Sequence, residues 1–171
     1  MNFKPLLEKI ESSLVFQKFK EQYPDAELCA GFFILDFLSN DNKNSLDYKI
    51  NNKIFTFSIK KDDITMQEDE LIKDSKHPPL QKIDDVIKVE VDELKSIVGV
   101  QALDNGINSK LSKIIAVLQK FKKEGEDNPR QIWNLTCMLE GLIILNILID
   151  ANLGEVIKFE RKSIMDLVKK K

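Results

Sequence analysis

The chain has 171 residues, of which 43% are hydrophobic and 32% charged, with 26 basic and 28 acidic side chains for a net charge of −2. That supplies a core for one ordinary domain or two very small ones, while 6 Gly and 5 Pro exclude collagen-like and low-complexity disordered classes. Two cysteines more than a hundred positions apart, Cys29 and Cys137, exclude a disulfide framework and a zinc-ligand spacing.

In chain order, Phe3, Leu6, Leu7, Ile10 and Leu14 recur at steps of three and four, which predicts one amphipathic helix from about residue 3 to the Tyr23-Pro24 break. Ala26 to Leu38 is rich in Phe and Ile and reads as a strand. A second strand is expected over Leu46 to Lys60, with Asn51-Asn52 as a bulge or bend inside it. Residues 61 to 84 read as an acidic loop that also carries Pro78-Pro79 and the single histidine, His77. Val86 to Val91 alternates like a strand, and Asp92 can cap a short helix through Val98.

The second half opens with Asn108-Ser109 as cap candidates before Leu111, Ile114, Ile115 and Leu118, the spacing of a buried helical stripe that Gly125 would end. Three strands are then predicted, Gln131 to Leu139, Leu142 to Ile149 and Glu155 to Glu160, with Gly141 and Gly154 in the turns. A short helix from Ser163 to Lys170 closes the chain. The expected fold class is α+β, as two similar halves, each a long helix packed on a three-stranded antiparallel sheet. Joining their edges into one sheet would remove a liability to uncontrolled strand pairing. Residues 1–105 would form the first helix-plus-meander repeat, with the acidic insertion at 61–84, and 106–171 the second. Internal duplication rests on three matches in register: element order, Pro24 against Pro129, and Val86-Ile87-Lys88 against Val156-Ile157-Lys158.

The segment Ile147-Leu148-Ile149-Asp150-Ala151-Asn152-Leu153-Gly154-Glu155-Val156-Ile157 resembles the end of PepSY-type domains, cystatin-like units of a helix and an antiparallel meander. The resemblance covers about residues 108 to 160, with Leu153 where that type usually has Thr. It implies protein binding or inhibition without catalysis. The whole chain also resembles uncharacterised proteins of small archaeal genomes, which implies no activity.

No glycine-rich phosphate loop, nucleophile elbow, His-Glu-x-x-His or Cys-x-x-Cys occurs, so no catalytic residue, cofactor site or metal site is assigned. Two residues stand out as candidate binding positions. Asp36, a lone acid in Phe32-Phe33-Ile34-Leu35-Asp36-Phe37-Leu38, would become a general base if it faced a cavity, although a strand-end Asp is the ordinary case. Trp133 reads as a core anchor or as an exposed aromatic that grips a partner.

Residues 1–105 hold 14 basic and 20 acidic side chains, and residues 106–171 hold 12 and 8. The lysines of the second half could touch phosphate, but nearly absent Arg and no aromatic platform argue for a solvated face. The leading expectation is therefore a non-enzymatic protein-binding or regulatory module with a protein partner, as a monomer or homodimer. The alternatives are a small-ligand or enzymatic cavity between helix and curved sheet, and weak nucleic-acid or ribosome association. Lacking a signal-peptide pattern or an uninterrupted apolar span, the chain is expected in the cytoplasm, away from membranes.

Overall fold

The computed structural model describes residues 1–71 and 80–163, so His77, Pro78, Pro79 and all but the first residue of the expected last helix lie outside the described residues. The described chain runs α1 (Phe3–Glu11), α2 (Leu14–Gln22), β1 (Glu27–Asp36), β2 (Lys43–Ile50), β3 (Lys53–Lys60), β4 (Asp63–Glu70), α3 (Val91–Asp104), β5 (Leu111–Phe121), β6 (Arg130–Leu139), β7 (Ile143–Asp150) and β8 (Val156–Ser163). All eight strands form one sheet in the order β4-β3-β2-β1-β5-β6-β7-β8, every pair antiparallel. Two halves that each set a long helix on three strands are therefore not what the chain builds. The sheet is continuous, the helices are short, and β1 meets β5 at a central seam where Gly31 to Asp36 pair with Leu118 to Lys113.

Several element expectations are corrected for identifiable reasons. The single helix expected over residues 3–23 is two, because Ser12-Ser13 interrupts it. The Ser13 hydroxyl donates to the Ile10 carbonyl and accepts the Phe16 amide, an N-cap that starts α2 as a separate helix. The strand expected over 46–60 is the hairpin β2–β3, with Asn51 at φ 53° in its turn rather than at a bulge. Within the expected acidic loop, Lys61 and Asp62 take positive φ values of 48° and 68° and turn the chain into β4. That strand is an exposed edge paired only with β3, so nothing demands an apolar alternation in it.

The segment Val86 to Val91 is not a strand. It crosses the end of the sheet, where the Lys88 and Val89 amides both donate to the Ala151 carbonyl. The following helix is capped by Glu90, not Asp92, and runs to Asp104, beyond the expected end at Val98. The largest correction is β5, expected as a helix. Ile114, Ala116 and Leu118 are fully buried on one side while Ile115 and Val117 face the other way, which is the two-residue period of a strand.

The helices cover one face. Phe3, Leu6, Ile10, Phe16, Phe19, Leu94 and Val98 share a core with Phe33, Leu35, Leu46, Tyr48, Phe55, Phe57, Ile114, Leu118, Leu135 and Ile147. Phe16, Phe19, Tyr23, Tyr48, Phe55 and Phe57 pack ring on ring, mostly tilted or edge-on, with centroids 4.9 to 6.0 Å apart beneath α2. At the seam a Cβ on Gly31 would stand 3.1 Å from Phe33 Cε2, so glycine leaves that ring its space.

Candidate protein-binding face

Side chains alternate along a strand, so Phe33 and Leu35 entering the helix-covered core send Phe32 and Ile34 to the opposite side. Register carries this side across the central strands: Phe32 lies beside Val117, Ile34 beside Ile115, and Met138 beside Ile144. These six side chains are all half-buried and form an apolar stripe over β1, β5, β6 and β7. The described helices lie on the other side of the sheet.

Polar groups border the stripe and interrupt it. Asn146 Nδ2 donates to Asn134 Oδ1 and to the Leu135 carbonyl, both at 3.2 Å, so this central amide pair is partly satisfied within the face. On the β2–β3 side the Thr56 hydroxyl donates to Asp47 Oδ1 at 2.7 Å, and burial pushes the Asp47 carboxyl above its ordinary value. On the far side Glu160 pairs with Lys158 at 3.2 Å and Lys162 at 3.8 Å. At the lower end Arg130 gathers Glu126, Asp150 and Glu155 within 2.7 to 3.6 Å, next to the fully buried Ile132.

Asp36 sits at the upper end of this face and serves its own turn. Its Oδ1 accepts the Leu38 and Ser39 amides, both at 3.0 Å, and its Oδ2 lies 3.8 Å from Lys113 Nζ. Hydrogen bonds from Ser39 and Leu38, with the Lys113 charge, hold the carboxyl down at about 2. It is an anion at any ordinary pH, and a weak base.

Trp133 is fully buried on the helix side, edge-on to Phe33 at 5.5 Å, with its ring N–H donated to the Val89 carbonyl at 2.8 Å. That geometry gives a partner nothing to grip. Asp150, inside the PepSY-like segment, also serves its own turn: its Oδ1 accepts the Asn152 and Leu153 amides at 2.8 and 2.9 Å, and Gly154 closes the bend at φ 76°.

Both thiols are buried, and burial pushes each up to about 12, so neither is an available nucleophile. Among the described residues no three His, Cys, Asp or Glu side chains converge in a way that could hold a metal ion. A groove of about 310 Å³ lies between α1 and the 85–90 segment, lined by Lys4, Leu7, Glu8, Glu11, Asp85, Val86, Ile87 and Glu90. No strand residue lines it, and its lining includes no hydroxyl, thiol or imidazole.

The half-exposed stripe is what sequence reading missed. Its signal was present, since Phe32-Phe33-Ile34-Leu35 and Ile114-Ile115-Ala116-Val117-Leu118 are apolar on both faces of a strand. Among the described residues no helix is long and apolar enough to cross a membrane.

No family model matches the chain, and no curated protein matches it. Among solved structures it is similar to a candidate lipoprotein of Clostridium difficile 630, with a TM-score of 0.56 and 16% identity over 86% of this chain and 90% of that one. At that identity the likeness concerns the fold alone.

Proposed function

We propose that the chain is a non-enzymatic protein-binding module whose working surface is the face of its sheet opposite the described helices. One observation carries the reading: the stripe Phe32, Ile34, Ile115, Val117, Met138 and Ile144 stays half-exposed at the middle of the sheet, bordered by Asp47, Thr56, Lys158 and Lys162. A half-exposed apolar stripe that can be desolvated, bordered and crossed by polar groups that can hydrogen-bond a partner, is the anatomy of a recognition surface. Asp36 held ionised in its own turn and two protonated buried thiols supply no acid-base or nucleophilic alternative.

The test is capture from native cells with the wild-type chain, with Ile115→Glu on the proposed face, and with Val100→Glu on α3, where Val100 is 53% exposed. A partner held by wild type and V100E, and reduced at least tenfold by I115E, is expected, since a buried unpaired charge costs more than about 1.4 kcal/mol. Loss with V100E and retention with I115E would place the binding surface on the helices instead.

A further inference from the structure

We infer that Asn105 is a site of spontaneous covalent modification, deamidation through a cyclic imide, and that the reaction is gated by opening of the last turn of α3.

The residue that follows sets the chemistry. The backbone nitrogen of that residue attacks the asparagine Cγ, closes a five-membered imide and gives up its proton to the side-chain amide, which leaves as ammonia. Water then opens the ring at either carbonyl, to aspartate or to isoaspartate, so an amide and one water become an acid and ammonia. Any side chain on the attacking residue crowds the approach, and Asn105 is the one asparagine of the chain that precedes glycine.

Position favours the same residue. Asn105 and Gly106 are both exposed, and no atom beyond the chain neighbours lies within 4 Å of where a Cβ on Gly106 would stand, so the ring and the water have room. Asn134 and Asn146, in contrast, are half-buried in strands and bonded to each other.

The fold also supplies a brake. The Gly106 N–H, which carries the nucleophile, donates to the Leu103 carbonyl at 3.0 Å, and Asn105 Nδ2 donates to the Gln101 carbonyl at 2.8 Å. With ψ at 19°, the Asn105 backbone turns the Gly106 nitrogen away from the side chain it must reach. Attack therefore requires these bonds to break, while Ile107, buried and donating its amide to the Ala102 carbonyl, holds the turn closed. Helix ends fray, so this opening is local and does not need the sheet to unfold.

The product works against the turn that formed it. A carboxylate at 105 has no Nδ2 donor for Gln101, stands beside Asp104 at the negative end of the α3 dipole, and meets no basic residue in the last turn. Isoaspartate also adds a methylene to the main chain inside the loop that the Ile107–Ala102 bond closes. Each event loosens the end of α3.

Peptide mapping by mass spectrometry tests this, with the full chain held in mildly alkaline buffer beside a synthetic peptide of residues 96–110. The expected result is a mixture of aspartate and isoaspartate at 105, formed before any other asparagine converts and about tenfold more slowly than in the peptide. Asn105→Gln, whose longer side chain closes a six-membered ring far less readily, should show no such gain. Asn105→Asp should lower the midpoint of thermal unfolding by about 2–4 °C. Conversion of Asn108 or another asparagine first, equal rates in protein and peptide, or an intact amide at 105 after about a hundred peptide half-lives would each overturn the inference. An N105D chain as stable as wild type would overturn the loosening of α3.

Discussion

Trp133→Ala is expected to cost about 5 kcal/mol, the largest loss from any single side chain. Trp133 is fully buried, packs edge-on against Phe33 across the seam, and is a large side chain whose removal leaves a cavity no neighbour can fill. The same substitution deprives the Val89 carbonyl of its donor, and a buried orphaned carbonyl adds about 1–3 kcal/mol. For a chain of this size the midpoint of thermal unfolding should fall by about 10–20 °C. Trp133→Phe, which fills most of the space but cannot donate, should lose only about 1–2 kcal/mol. Urea unfolding that shows both variants within about 1 kcal/mol of wild type would mean that Trp133 is no anchor.

The second large effect concerns Glu90, which joins two helix starts. Its Oε2 accepts the Phe3 amide at 2.7 Å and its Oε1 the Lys4 amide at 3.2 Å, while the same side chain caps α3 through the Val91 amide. The bridge is reciprocal, since Asn2 Oδ1 accepts the Asp92 amide at 2.9 Å. One carboxylate therefore answers the unsatisfied amides and the positive dipole ends of both α1 and α3. Glu90→Ala should cost about 2–3 kcal/mol by urea unfolding, and Glu90→Gln about 1 kcal/mol, because the amide keeps one acceptor and loses the charge. Equal stability of E90A and wild type would sever α1 from this account of the core.

Legibility in the sequence followed how each strand is covered. Strands β1, β6 and β7 could be read because they are long, apolar and bounded by turn residues such as Gly141 and Asn152. In β5, Leu111, Ile114, Ile115 and Leu118 satisfy a helical spacing only because both faces of the strand are apolar, which erases the alternation. The β-branched Ile114, Ile115 and Val117 were the signal for strand. Strand β4 was hidden for the opposite reason, since an exposed edge tolerates Glu68, Asp69 and Glu70 on both sides. In Val86 to Val91 the alternation was real but served anchoring: Val89 and Val91 are buried while no strand pairs with them.

The proposed binding face was partly legible, in that apolar residues at both parities of β1 and β5 announce a strand with two apolar sides. Whether helices cover one side or both depends on where α1, α2 and α3 pack, and that is tertiary. Asp36 drew notice for a sound reason, an acid amid aromatics, yet two amides of its own turn already occupy it. Trp133 could be read either way until Val89 supplied its acceptor.

The most direct measurement of the central claim is site-specific photo-crosslinking from position 117, on the sheet face opposite the described helices, and from position 100, on the outer side of α3. Protein adducts from position 117, and none above background from position 100, are the expected result. Adducts from position 100 with none from 117 would contradict it.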